Sequence, residues 1–235
     1  MRLGVIDFGR LVPVFAIFTA ACSDAGVVQD DPTSSLQQGL AGGGGSGVGG
    51  GGGSITVQVG LDTYVAENDS ANYWDRNRVS VRGDGSGSAP VLVGLLIFDM
   101  GVPPPVPCTV TFANIVIWRL STSNQSFKLY PANRVWTDNQ ANWTLAKSGV
   151  PWEVPGAMGP TDRGPAFHEF TPSAVGTQNM VLNAAGRALV QSWIFQPGAN
   201  KGLVIGHETH GDGFSFASTE HFPTNRRPML IYTCQ

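Results

Sequence analysis

The chain has 235 residues, a formal net charge of −3 and only 13% charged side chains. Its lysines and arginines form no basic tract, which excludes the electrostatic footprint of a nucleic-acid binder. Ten of the 31 glycines lie between Gly42 and Gly53, in a run that cannot bury enough apolar surface to offset its ordering entropy.

The N-terminus reads as a targeting segment. Arg2 and Arg10 stand ahead of an apolar core, Leu11–Ala21, that is too short to span a bilayer as a mature helix. It ends in Thr19-Ala20-Ala21-Cys22, which resembles the lipobox of bacterial lipoproteins. Cys22 then becomes the lipid-carrying first residue, and Ser23 after it is the pattern of outer-membrane delivery. Cleavage of an ordinary secretory peptide nearby is the alternative; either route exports the chain. The expected organisation is a signal peptide over 1–21, a Gly/Ser-rich tether over 22–54 and one folded domain over 55–235, long enough for a real core. Export leaves two cysteines besides Cys22 in an oxidising compartment, so Cys108 and Cys234 are expected to pair.

Along the folded part, Ile55–Val59 alternates apolar and polar residues, Gly60 breaks it, and Asp62–Ala66 follows as a second short strand. Asn68–Asn77 is a polar loop holding Tyr73 and Trp74. Arg78–Arg82 alternates again, with Val79 and Val81 inward. The nearly all-apolar Val91–Phe98 reads as a strand buried on both faces. Gly101–Pro107 is proline-rich connection. Thr109–Leu120 is long and β-branched, with an inward phase that shifts and calls for a bulge near Phe112–Ala113. Phe127–Tyr130 is a further strand, and the stretch to Pro165 is loop-rich, with Trp136, Trp143 and Trp152 along it. Asn183 is placed to cap a helix, Ala184–Trp193. Three short runs, Gly202–Ile205, Gly213–Ala217 and Met229–Thr233, close the chain; strands this short need a larger sheet.

At this point the residues resemble a known family, the DNRLRE domain, grouped with the family 96 carbohydrate-binding modules. Asp62-Thr63-Tyr64 is similar to its opening DTY, Asn72-Tyr73 to its NY, and Phe98-Asp99 to the FD that ends its buried strand. Ala113, Ile115 and Ile117 sit in its alternating strand. Trp136 and Trp143 stand in its tryptophan segment, Val190 to Trp193 in its V-x-x-W helix, and Asn200 to Leu203 in its N-x-G-L. Ser218-Thr219-Glu220 is similar to its S-x-E, and Arg227 to Tyr232 to its closing R-P-x-L-x-x-Y. Asp138, Asn142 and Asn183 depart from its Glu, Thr and Asp. The resemblance spans about Asp62 to Tyr232. It implies a jelly-roll-type β-sandwich with one short helix and, for some members, binding of a polyanionic polysaccharide such as alginate.

Candidate chemistry is sparse. His207-Glu208-Thr209-His210, near Asp212, Glu220 and His221, has its histidines three apart in a Gly-flanked turn, not four apart on a helix as the zinc-protease motif needs. A solvated turn is the better account. Arg82-Gly83-Asp84 reads as loop. Asp62, Asn72 and Asp99 carry oxygens suited to calcium, but their spacing forms no calcium loop, so metal and cofactor stay open. No nucleophile elbow exists, and sequence cannot bring two of Asp99, Asp138, Glu153, Asp162, Glu169 and Glu220 together in a cleft, so no enzyme is expected. The aromatics carry the functional expectation. Sugar rings pack their C–H faces on Trp and Tyr, and Arg forks onto a uronate carboxylate. Trp74 with Arg76 and Arg78, and Trp152 in its Pro- and Gly-bounded loop, are the expected ligand-binding residues, while Trp136, Trp143 and Trp193 are expected in the core. The expected partners are an acidic polysaccharide, a uronate-containing one being the kind that arginine suits, and the outer membrane through the lipid. A structural or adhesive module is the second expectation and a polysaccharide-degrading enzyme the third.

Overall fold

The computed structural model describes residues 53–83, 89–101, 108–206 and 209–235. Cys22, the targeting segment, Asp84, most of the proline-rich connection, His207 and Glu208 lie outside them. The described part is all-β with one short helix, and every strand pairing is antiparallel.

The first strand is the frame. β1 runs unbroken through Ser54–Ala66, where the sequence had pointed to two strands separated by Gly60. Its first half pairs with β12 (Met229–Cys234), Val57 opposite Leu230. After a register shift between Val59 and Leu61, its second half pairs with β3 (Leu92–Phe98), Asp62 opposite Leu96 and Tyr64 opposite Gly94. Gly60 sits at that transfer, where a Cβ would come within 3.2 Å of the Asp99 side chain. Glycine therefore marks a bulge inside one strand here and not its end.

The other strands close the circuit. β12 pairs with β4 (Val110–Arg119), and β4 touches β11 (Gly213–Ala217) at Arg119 and Phe216. β11 pairs with β2 (Arg78–Arg82), and β2 meets β3 at Arg82 and Leu92. Six strands thus form a closed ring in place of the two separate sheets of a jelly-roll sandwich. The physical reason is β1, long enough to belong to both walls, and closure removes edges that would stand open. β10 (Leu203–Gly206), β5 (Phe127–Pro131) and β8 (His168–Phe170) extend the wall beyond β3, and β9 (Gly176–Val181) lies along β4. The bulge in β4 falls between Val110 and Phe112: Val110 and Ala113 both point inward, and Phe112 points out.

Alternation fills the ring with Val57, Val59, Val79, Val81, Leu96, Phe98, Ala113, Ile115, Ile117, Phe214, Phe216, Leu230 and Tyr232. The helix α1 (Ala184–Phe195) adds Val190, Trp193 and Ile194; Asn183 caps it, its side chain accepting the Gly186 amide at 3.0 Å. Gln191 on α1 accepts the Val110 amide at 2.7 Å and donates to the Cys108 carbonyl, tying the helix to the start of β4. There Cys108 and Cys234 form the expected disulfide, with Cα atoms 4.9 Å apart.

A second core lies on the outer face of β3, β10 and β5, where Val93, Leu95, Val204 and Tyr130 are roofed by residues 131–165. This excursion, which holds the small hairpin of β6 (Leu145–Lys147) and β7 (Val150–Pro151), is organised by Asp162. That buried carboxylate accepts the amides of Glu153 (3.0 Å), Val154 (3.1 Å) and Gly159 (3.1 Å), and Arg134 pairs with it. Burial alone would raise its pKa, but these donors outweigh burial and hold it below the usual carboxylate value. No helix among the described residues is long and apolar enough to cross a membrane.

Candidate functional site

Between β1 and β2 the chain makes the polar loop 67–77, and its fastening decides what it presents. Asp69 turns the loop, its Oδ1 accepting the Ala71 amide at 2.8 Å and its Oδ2 the Tyr73 hydroxyl. The Tyr73 ring then stacks on Tyr64, centroids 4.3 Å apart and planes 14° from parallel. On one side Asn72 donates to the Ala141 carbonyl (2.6 Å), and Asn142 donates to Ser70 (3.3 Å). On the other, Ser218 Oγ donates to the Arg76 carbonyl (2.6 Å), and His221 Nδ1 hydrogen-bonds the Asn77 carbonyl (3.0 Å). With its backbone held on both flanks, the loop turns Trp74, Asp75 and Arg76 to solvent, and Arg78, the first residue of β2, is exposed after it. Trp74 is 45% exposed. The Arg76 guanidinium lies 3.7 Å from Asp75 and 5.9 Å from the centroid of the Tyr73 ring.

Beneath the loop the electrostatics are unusual. Asp62 shares the face of Leu96 and is 2% exposed. Burial is the main reason its pKa is pushed up to about 7; the Thr219 amide, donating to Oδ2 at 2.7 Å, works against that, and the charges of Glu220 and Asp138 add to it. The Tyr73 hydroxyl is pushed up to about 12 by its bond to Asp69 and by burial, and the same bond draws Asp69 down. Burial also raises Tyr64, opposed by Arg76 and Arg78.

The expected binding residues separate. Trp74, Arg76 and Arg78 are all exposed within five residues of chain, and Trp152 is not exposed with them. Trp152 is 5% exposed, packs in the second core with Trp136, and donates its indole N–H to the Asn142 carbonyl at 2.9 Å. Its expectation as a ligand platform is therefore corrected: the excursion folds back onto the sheet and takes this ring inside. Trp136 and Trp193 are buried, and Trp143 packs partly buried against the second core.

Asn72 spends its amide on Ala141, and Asp99 is exposed beside a depression of about 430 Å³ lined by Leu61, Ile97, Met100 and Asn200. A second depression of about 430 Å³ is lined by Tyr130, Asn133, Met158 and Arg163. Asp99 is the one carboxylate between the two linings, so neither offers the facing pair that glycoside hydrolysis requires. Among the described residues no three His, Cys, Asp or Glu side chains are placed to hold a metal ion.

Sequence reasoning missed the Tyr64–Tyr73 stack and the burial of Asp62. The alternation Asp62, Tyr64, Ala66 carried that signal, since it puts all three on one face of β1. No protein-family model matches the chain, and no curated protein matches it either.

Proposed function

We propose that the chain is an exported, non-catalytic carbohydrate-binding protein of DNRLRE type, displayed at the cell surface through a lipid on Cys22 and taking an acidic polysaccharide on the surface around Trp74. The observation that carries the reading is Trp74, an exposed tryptophan on a loop hydrogen-bonded along both flanks, with Arg76 and Arg78 beside it. A fastened loop gives a stacking platform at low entropic cost on binding. The ring takes the C–H face of a sugar, and the guanidinium groups take carboxylates. An exposed platform suits a chain lying along it.

Titration of the purified protein against alginate, pectin and a neutral glucan tests this. Uronate polymers should bind more tightly than the neutral glucan, and added salt should weaken them. Trp74→Ala should remove most of the affinity, while Arg78→Ala should lower the preference for uronate. Equal, salt-independent affinity for all three polymers, or none for any, refutes the reading. A structural or adhesive module is the second account; the burial of Trp152, which leaves one expected platform where there were two, favours it.

A further inference from the structure

Phe222 is the most exposed large apolar side chain described, 87% open to solvent. One exposed apolar residue needs no explanation. The fastening around this one is what calls for one. The preceding residue, His221, is buried, its amide donating to the Ser218 carbonyl at 3.2 Å and its ring bonded to Asn77. Arg227 Nε donates to the His221 carbonyl at 3.2 Å, and the Arg226 amide closes a turn onto the Pro223 carbonyl at 3.2 Å. A ring held out of the core by a backbone this well tied is presented, not frayed.

The backbone that presents Phe222 is bonded to the backbone that presents Trp74. Both tryptophan and phenylalanine segments converge on the Asn77 carbonyl: His221 hydrogen-bonds it, and Trp74 stands three residues before it. Three residues of fully extended chain reach about 11 Å, which bounds the Cα separation of Trp74 and Asn77. Around the junction the chain carries Arg76 and Arg78, both exposed, on one segment; on the other, half-buried Arg226 lies over the Trp118 ring at 4.5 Å and Arg227 is held by the His221 carbonyl. The acids there are engaged: Asp75 pairs with Arg76, and Glu220 accepts the Thr219 hydroxyl at 2.8 Å. Phenylalanine has no polar handle, so its recognition chemistry is its ring alone.

We propose that Phe222 is the second aromatic contact of the Trp74 surface, so that the ligand is an extended acidic polysaccharide chain lying across both segments, not a single terminal sugar. The inference rests on the carbohydrate-binding reading above. It gives the surface a second ring in place of Trp152.

The test titrates the purified full chain, as wild type, Trp74→Ala, Phe222→Ala and Phe222→Trp, against an alginate trisaccharide and an octasaccharide by calorimetry. Phe222→Ala should weaken the octasaccharide about tenfold, the scale of a truncated aromatic anchor, and leave the trisaccharide unchanged. Phe222→Trp should keep the octasaccharide affinity. If Phe222→Ala leaves octasaccharide binding intact while Trp74→Ala abolishes it, this inference is wrong and the binding reading stands. Equal weakening of both lengths also overturns it, because a structural role would act on every ligand. Wild-type protein that binds neither length sinks the binding reading and this inference with it. Co-sedimentation with phosphatidylglycerol vesicles that is lost on Phe222→Ala, with octasaccharide affinity unchanged, assigns the ring to a lipid surface instead.

Discussion

Asp62→Asn is the substitution whose outcome the structure determines most fully. The carboxyl group sits on the inward face of β1 at 2% exposure, with its pKa raised from 3.8 to about 7, chiefly by burial. Because the folded-state value is raised, the folded protein holds this proton over a range in which the unfolded chain has lost it. The stability linked to it is fully present below pH 3.8 and is lost as pH rises through about 7. At 1.36 kcal/mol per pKa unit, the loss above that range is roughly 4 kcal/mol. Asparagine keeps the volume and an oxygen to accept the Thr219 amide, but it cannot ionise. Urea unfolding of wild type and Asp62→Asn, disulfide intact, should give similar stabilities at low pH. The gap should widen across the window between the two pKa values and level off above it, with the variant the more stable. Asp69, Asp162 and Asp212, all held below the usual carboxylate value, pull the other way, losing stability as pH falls. They are common to both proteins and cancel in the difference. Parallel curves across the whole range, or a variant less stable at alkaline pH, would show that the Asp62 carboxylate is accommodated without cost.

Four further variants address the two tryptophans, the disulfide and the proposed lipid anchor. Trp152→Ala should cost about 3–5 kcal/mol by urea unfolding, as expected for a large buried ring, whereas Trp74→Ala should leave the unfolding midpoint unchanged; a reversed pattern would mean that the two tryptophans have been assigned the wrong roles. Joint replacement of Cys108 and Cys234 by Ala opens a link across a sequence separation of 126 residues and should cost up to about 4–5 kcal/mol on chain-entropy grounds. Two freely alkylatable thiols in unreduced, denatured wild type would show by intact mass that no such bond forms. Cys22→Ala should move the protein from the detergent phase to the aqueous phase in cell fractionation, and a wild-type protein already aqueous means there is no lipid.

Much of the architecture was legible because it is local. Val79 and Val81, Ala113, Ile115 and Ile117, and Phe214 and Phe216 alternate in sequence and point into the ring as alternation requires. Asn183 caps its helix because an Asn side chain does so wherever a helix follows. Closure of the ring was not legible. Two of its joints, Arg119 with Phe216 and Arg82 with Leu92, are single residue pairs at strand ends and leave no pattern. β9 was missed because Gly-Thr-Gln-Asn-Met-Val has little apolar alternation and takes its strand form from β4 alongside. Trp74 and Trp152 both lie in loops bounded by polar, Pro or Gly residues, so composition could not divide them. What divides them is tertiary: the Asp162 carboxylate gathers the amides of Glu153, Val154 and Gly159, folding the excursion so that Trp152 turns inward.

A buried carboxyl group facing Leu96 is a costly choice for a strand position that valine or leucine would fill. Its partner explains what the position does. Asp62 accepts the Thr219 amide; Ser218, one residue earlier, donates its hydroxyl to the Arg76 carbonyl; and His221, two residues later, is bonded to Asn77. One inward side chain on β1 is thereby linked, through a turn of four residues, to the backbone behind Trp74 and Phe222. Proton and acceptor play separate parts in that link. Losing the proton makes the buried group a charge facing Glu220 and Asp138, which bears on stability. Losing the acceptor leaves the Thr219 N–H without its partner, which bears on the turn. Asparagine changes the first and keeps the second, so a stabilised Asp62→Asn protein should still hold the loop as the wild type does. An apolar residue at the same place removes both at once, and the strain of the orphaned amide then falls on the turn that is tied to the loop of Trp74 and leads into Phe222.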